Sequence, residues 1–382
     1  MIMTNNRLMI LGTNEYQNPL IIRAKELGYE THVFGWPHGE IGETTADVYH
    51  PVNILDYNLL WDECKKLNPC GVASVCSELA MHPMNYLLRK MGIPCNSLET
   101  ETITTNKYLM RKAMKEGGVD SPNFLLVTKG QIVEDIERAI ANFSFPLIIK
   151  PCDLSSSRGV FKIETPANLS EGIDYAMEWS KTGEAILEEF ITGPEYSGEC
   201  IAYKGEYKLL AITEKSTTGA PHFVETGHRQ PARLSDEVTK KIEATLFKAF
   251  RSLKIEYGAI HPEFRITPDG RILFMEIATR MGGDCIGTDL VPLSSGYDFM
   301  GMVIDICCGK APSFSKIRTP MVAHNHYIMT SDDLVEFNRI KAEEPNKIWR
   351  HSQIRPISDM VVLKSADRAG YYITVEPLDS EK

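Results

Sequence analysis

The sequence lacks the features that mark several broad classes of protein. Its nine cysteines are odd in number and none sits in a CxxC pair, while Cys307 and Cys308 are adjacent. That pattern suits neither a zinc ribbon nor an ordinary disulfide framework, so the thiols read as reduced, cytosolic and acting as small hydrophobes. No run approaches the roughly 18 apolar residues of a membrane helix. The opening "MIMTNNRLMILGTNEY" has one short apolar run, without the charged region, longer apolar stretch and small-residue cleavage site of a secretory signal. Net charge is −10, with acidic and basic residues mixed along the chain. This mixing argues against nucleic-acid partners and offers no polybasic membrane patch. Internal repeats and low-complexity tracts are also missing. The expectation is a cytoplasmic protein that works on small molecules.

What is present is an ordinary globular composition, 43% apolar and 24% charged over 382 residues. That length is too great for one core and suggests two or three packed units. "RLMILG" reads as a strand, "NPLIIRAKELGY" as a helix stopped by Gly28, and "ETHVFGW" as a second strand. "GVASVCSE" and "AMHPMNYLLRKMG" repeat the pair. Strand and helix in alternation imply a doubly wound parallel sheet over residues 1–99. Only Gly12 follows the first strand, so a G-x-G-x-x-G dinucleotide fingerprint is excluded.

From Thr100 the pattern changes. "TTNKYLMRKAMKEGGV" reads as one amphipathic helix stopped at Gly117-Gly118, and "SFPLIIKPCD" as a strand. "SSSRGVFKI" is a polar turn feeding another strand, and a hairpin turns at Lys204-Gly205. After a helix around 236–253, "YGAIHPEFRI" and "RILFMEIA" form two strands joined by "TPDG". "MVAHNHYIM" and "DMVVLKSADRAGYYITVE" suggest strands of a small C-terminal unit, residues 311–382.

The chemistry begins with Glu263 and Glu276, thirteen residues apart across that short turn. Side by side in a partly buried sheet, they repel unless a cation lies between them. Magnesium suits such a pair, since it takes few carboxylates and completes its octahedron with phosphate oxygens and water. Pairing of each glutamate with a nearby Arg or Lys is the open alternative. Lys150 ends the apolar run "PLIIK", and Ser155, Ser156, Ser157, Arg158 and Gly159 follow as a small-residue loop able to cover polyphosphate. Lys107, one helix upstream, supplies another cation; both lysines can equally reach solvent. Glu188 and Glu189 open a connector whose backbone can meet a purine edge, with Glu195 placed for ribose hydroxyls.

Taken in order, these residues resemble the ATP-grasp superfamily over roughly residues 100–310. The resemblance implies an α/β and α+β architecture: a Rossmann-like domain at 1–99, then two subdomains that hold ATP between them. The small lid subdomain would fall at about 115–190, and the C-terminal β-rich unit would pack on the ATP-grasp core. Carried over by position, Lys107 and Lys150 would neutralise phosphates and the loop from Ser155 to Gly159 would close over them. Glu188 and the backbone near Ile191 would meet adenine, and Glu195 the ribose. Glu263 and Glu276 would hold magnesium, with manganese as a substitute. Arg280, with Lys150, would act at the transferred phosphoryl group. Many members read E-x-N-x-R at the second glutamate, whereas this chain has Ala278, which leaves the metal one ligand fewer.

Within the superfamily, "TRMGGD" lacks the His-Asn-Ser-Gly-His run of carboxyaminoimidazole ribonucleotide synthase and is similar to the amino-acid and dipeptide ligases. There Gly282 and Gly283 would let backbone approach substrate. Glu225, His228 and Arg229 fall in a segment that lines the acceptor site in that group; as bare residues they equally fit a solvated loop. Glu225 or Asp284 would hold a substrate ammonium, with Arg280 holding the carboxylate. Glu78 follows a parallel strand, where such sheets place ligand contacts, or else complements its helix dipole. The implied activity is ATP- and magnesium-dependent joining of a small carboxylate to an amine through an acyl phosphate, with a homodimer as the assembly the resemblance suggests. The alternatives are a purine-pathway or carbamoyl-phosphate-synthase-like enzyme, and a catalytically idle nucleotide-binding module.

Overall fold

The computed structural model describes residues 5–154, 158–219, 223–357 and 362–378. Its first unit is a four-stranded parallel sheet in the order Val48–Pro51, Glu30–Gly35, Arg7–Leu11, Gly71–Ala73. Strands Arg7–Leu11 and Gly71–Ala73 are short and almost wholly buried, in one apolar cluster with residues of helices Asn18–Glu26, Tyr57–Leu67 and Glu78–Met91. Strand order reverses between Arg7–Leu11 and Gly71–Ala73, so the loops after these two strands open the crevice where such sheets bind ligands. Glu78 begins the helix that leaves this crevice.

A second sheet of four strands runs Phe124–Thr128, Glu184–Glu189, Leu147–Pro151, Phe161–Ile163, all antiparallel. Helices Val133–Ala139 and Leu169–Trp179 cover one face and bury Val127, Ile136, Ile149 and Ile173. The third sheet has eight strands: Ile272–Ala278, Tyr257–Ile266, Glu195–Tyr203, Glu206–Thr217, Glu225–Gln230, Met321–Ile328, Gly370–Pro377, Ile348–His351. The C-terminal strands thus continue the same sheet as the carboxylate hairpin, through Met321–Ile328 paired with Glu225–Gln230. The hairpin expected at Lys204-Gly205 forms, with both residues at positive φ as a tight turn requires. One apolar cluster joins Ile10 and Val72 of the first unit to Val291, Phe299 and Val303, so the two units share a core.

One expectation fails locally. The single helix read from Thr100 is two, Leu98–Thr105 and Lys107–Glu116. Asn106 adopts an extended backbone, and its side chain accepts a hydrogen bond from Leu109 N, capping the second helix. The break turns the amphipathic face so that Met110 and Met114 enter the core while Lys107 lies at the start of its helix, facing the cleft.

Candidate active site

The second and third sheets face each other across a cleft lined from both sides. Its third-sheet wall is the hairpin, in which Glu263 and Glu276 sit directly opposite one another. Each meets a lysine. Lys107 Nζ lies 2.7 Å from Glu276 Oε1 and also donates to Leu154 O at 2.7 Å. Lys215 Nζ lies 2.6 Å from Glu263 Oε1, 3.2 Å from Glu195 and 3.4 Å from Glu225. Burial alone would lift the Glu263 carboxyl, but Lys215 and His261 hold it well below the usual carboxylate range. Burial would lower Lys107, and Glu276 reverses that and raises it. Both acids are therefore lysine-paired.

Lys150 Nζ lies 2.7 Å from Glu188 Oε1, and Arg111 reaches the other oxygen at 2.8 Å. Glu188 is 1% exposed. Its carboxylate, expected at a purine, is engaged by both Lys150 and Arg111, and so clamps Lys150 to the cleft wall. Glu189 likewise accepts from Asn123 N, Asn123 Nδ2 and Ser144 N, and so ties two loops together. Of the backbone near Ile191 expected at the purine edge, the Ile191 carbonyl accepts from Arg265 Nη1 at 2.8 Å. Arg265 Nη2 also meets Glu195 at 3.0 Å, and its guanidinium lies 5.2 Å from the Phe190 ring centroid. Phe190, Ile191, Ile148, Val160 and Met275 supply the apolar lining that a flat heterocycle needs. Arg158 lines the same cleft. Gly159 has φ +71° and would put a Cβ 2.7 Å from Pro151 Cγ and Trp179 Cβ, so only glycine fits there. Ser155, Ser156 and Ser157 lie outside the described residues.

Beyond the strand end, Arg280 Nη2 pairs with Glu78 Oε1 at 2.9 Å and Nη1 donates to Met281 O. Glu78 thus bridges the first unit to the hairpin loop, and both Glu78 and Glu263 lie within electrostatic reach of Lys107 and Arg280. The two glycines differ in their surroundings. A Cβ on Gly282 would meet Glu199 Oε1 at 2.3 Å and His261 Nδ1 at 2.8 Å, so this glycine makes room for a buried acid. Gly282 N donates to Glu199 Oε2 at 3.1 Å, and Glu199 in turn holds His261 Nδ1. His261 Nε2 faces Glu263 at 3.5 Å. Burial would lower His261, but the Glu199 and Glu263 carboxylates raise it to about 9. Gly283 has open space at its Cβ position.

Glu225 and Asp284 converge on Arg368, with contacts of 2.6 and 2.7 Å. His228 is 1% exposed and its Nδ1 faces the Tyr327 hydroxyl at 3.3 Å, while burial lowers its pKa to about 4. Arg229 is not part of this group. It pairs across the sheet with Glu214 and His324, on the face opposite His228, Lys215 and Asn325. Sequence reading missed Lys215, Arg111, Arg265, His261, Glu199, Tyr327 and Arg368. The one signal for Lys215 was a lone cation within the strand-like "LLAITEKST", a weak one in a chain with 41 Lys and Arg.

A profile of the ATP-grasp domain family matches residues 143–289. A D-alanine–D-alanine ligase of Flavobacterium johnsoniae is 30% identical over 291 residues, covering 72% of this chain and 85% of that one. An alanine–anticapsin ligase of Bacillus subtilis is 29% identical over 266 residues, 63% of this chain. The chain spans 54% of that ligase's length and about two thirds of other curated relatives it matches. Among solved structures, an L-amino acid ligase from Bacillus licheniformis superposes with a TM-score of 0.80 at 20% identity, over 99% of this chain and 95% of that one. With the lysine-paired carboxylate hairpin and the facing small sheet, these matches establish that the chain belongs to the ATP-grasp family of carboxylate–amine ligases.

Proposed function

We propose that the protein is an ATP- and magnesium-dependent ligase that activates a small carboxylate, an amino acid or close relative, as an acyl phosphate and joins it to an amine. The observation that carries this reading is the pairing of Glu263 with Glu276 in register at the wall of the cleft, each faced by a lysine. The donor set fits magnesium. Two carboxylates stand opposite each other, no third acid or histidine completes a protein-only cage among the described residues, and Ala278 adds no ligand. Such a site suits an ion that draws its remaining oxygens from phosphate and water. When bound, the ion would neutralise charge on the phosphate oxygens. Manganese, which takes the same oxygen ligands, is the expected substitute.

The chain's own residues then have separate tasks. Lys107 exchanges Glu276 for a phosphate oxygen, while Lys150, held by Glu188, keeps its ammonium at the cleft wall. Arg158 and Gly159 border the phosphates, and Glu195, fixed by Arg265, takes the ribose hydroxyls. A substrate carboxylate oxygen attacks the γ-phosphorus as the bond to ADP breaks, and Arg280 stabilises the charge that develops there. Little covalent chemistry falls to the protein, which mainly positions and neutralises. The relatives named for joining amino acids support the substrate class. Nine free thiols support a reducing, cytoplasmic setting. Release of ADP from magnesium-ATP, measured against a panel of amino acids and ribonucleotides, tests this reading. Release that depends on an amino acid supports it. Release with a ribonucleotide alone would make the protein a purine-type ligase, and tight nucleotide binding without turnover would make it an idle module.

A further inference from the structure

Two cysteines 238 positions apart lie side by side at the seam between the first unit and the rest of the chain. Cys70 Sγ stands 3.7 Å from Cys308 Sγ, and both residues are half-buried. Cys70 immediately precedes strand Gly71–Ala73 and its N–H donates to Arg7 O, while Cys308 closes helix Phe299–Cys307. Their meeting depends on Gly71. A Cβ there would lie 2.4 Å from Cys307 O and 2.8 Å from Cys308 Sγ, so only glycine lets the strand and the helix end approach this closely. Neither thiol lines the cleft between the second and third sheets, and the proposed phosphoryl transfer uses neither. The pair is also chemically unequal. The Cys308 thiol donates to Cys70 and, with Lys310 nearby, holds it below the ordinary thiol range although burial opposes this. Cys308 is pushed up in turn by Cys70. Lys310 is held at the same corner by its bond to the Tyr29 hydroxyl at 3.0 Å. Burial raises all seven other thiols.

We infer that Cys70 and Cys308 form a modification site at which hydrogen peroxide converts two thiols into a reversible disulfide, clasping the first unit to the helix that ends at Cys308. Thiolate is the reactive form of cysteine, and a partly exposed thiolate beside a second thiol is the arrangement of redox-sensitive cysteines. The Cys70 thiolate attacks one peroxide oxygen. The O–O bond breaks, and the other oxygen leaves with the electron pair and takes up a proton to become water. Cys70 is then a sulfenic acid. The Cys308 sulfur attacks the Cys70 sulfur, the S–O bond breaks, and the departing hydroxide takes the Cys308 proton as a second water. Two thiols have lost two electrons and two protons, and the peroxide has been reduced to two waters. A thiol reductant reverses the step by exchange. Strand Gly71–Ala73 leads to Ser77, which caps the helix beginning at Glu78, so the clasp fixes the element that carries the partner of Arg280.

The test treats the reduced full-length protein with hydrogen peroxide, blocks the remaining thiols by alkylation and maps peptides by mass spectrometry without reductant. A Cys70–Cys308 link should form before any other cysteine is oxidised, with Cys70 reacting about tenfold faster than the rest or more. Dithiothreitol should then restore all nine thiols. Because Cys307 adjoins Cys308, Cys307→Ser is included and should link like the wild type. Cys308→Ser should stop at a Cys70 sulfenic acid that dimedone captures, and Cys70→Ser should leave Cys308 unoxidised. The linked wild type should melt a few degrees above its reduced form, since the bond closes 238 positions of the unfolded chain into a loop. The wild-type peptide map decides the matter if a serine variant fails to fold. Oxidation that begins at another cysteine, that carries Cys70 to sulfinic acid without linking it, or that links the pair only in denaturant overturns the inference. A linked protein that melts no higher than the reduced one overturns the clasp.

Discussion

Glu188 offers a perturbation whose two consequences can be separated. It is fully enclosed, and its side chain and that of Arg111 each retain 2% exposure. Its one negative charge serves both Arg111 and Lys150. Burial would raise its pKa, but Arg111 and Lys150 hold it below the ordinary value. Its stabilising contribution is therefore present above the unfolded-state pKa and lost as pH falls through the folded one. Glu188→Gln leaves two buried cations without their counter-charge, which costs about 3–5 kcal/mol. Against a typical stability of about 5–15 kcal/mol this is a large fraction, visible as a melting point lowered by several degrees. The double variant Arg111→Met with Glu188→Leu replaces the ion pair by apolar groups of similar length, and such swaps are often neutral or better. It should recover the part of the lost stability that belongs to Arg111, but not nucleotide binding, because Lys150 has lost its tether. Differential scanning calorimetry and titration with magnesium-ADP read the two effects, with an affinity loss of about tenfold expected for both variants. If the double variant melted as low as the single one, or bound magnesium-ADP like the wild type, Glu188 would not be the post that positions Lys150.

Other substitutions separate the remaining parts of the site. Glu276→Gln should abolish turnover while circular dichroism and melting stay near wild type, since Lys107 keeps its bond to Leu154 O; retained activity would remove Glu276 from the metal site. Arg280→Ala should lower kcat by about 100-fold or more with little change in the KM for ATP, the pattern of a group that acts in the transition state. A change confined to ATP affinity would make it a ground-state phosphate contact. Gly282→Ala drives a methyl group into the Glu199 carboxylate, which is wholly buried, and should cost about 1–3 kcal/mol in urea unfolding; an unaltered midpoint would contradict that packing. The His228 pKa is depressed by burial to about 4, so between roughly pH 6.5 and 4 the unfolded chain binds a proton that the native one refuses. Stability should fall as pH drops through that window, and His228→Gln should flatten the slope. Equal slopes for the two proteins would show that His228 is not held neutral.

Much of the fold was legible because its signals are local. The alternation of apolar runs with helical spacing marked the parallel sheet, and "TPDG" between two apolar runs marked the carboxylate hairpin, down to the facing of Glu263 and Glu276. Asn106 was read as helical because its neighbours are good helix formers, while a capping side chain in that position outweighs propensity. The site was half legible. Residues on the hairpin and the lysine-bearing strand fell within a recognisable series. The partners that decide their roles come from elsewhere in the chain: Arg111 for Glu188, Lys215 for Glu263, Arg368 for Glu225. Nothing local distinguishes a buried Arg or Lys from a solvated one, and such pairs are set by how distant elements pack, here joining residues 48, 77 and 143 positions apart. Gly282 shows the same limit from the other side. Its glycine was visible, but its reason, the Glu199 carboxylate eighty-three residues away, was not.

The central claim is that a substrate carboxylate attacks ATP and passes one of its own oxygens to phosphate. The direct measurement incubates the enzyme with magnesium-ATP, an acceptor and the carboxylate found by hydroxylamine trapping, labelled with 18O in its carboxyl group, and reads the released phosphate by mass spectrometry. The account predicts that one labelled oxygen appears in the phosphate for each product molecule formed. Phosphate whose new oxygen comes from water, with the label left wholly in the carboxyl group, would contradict it.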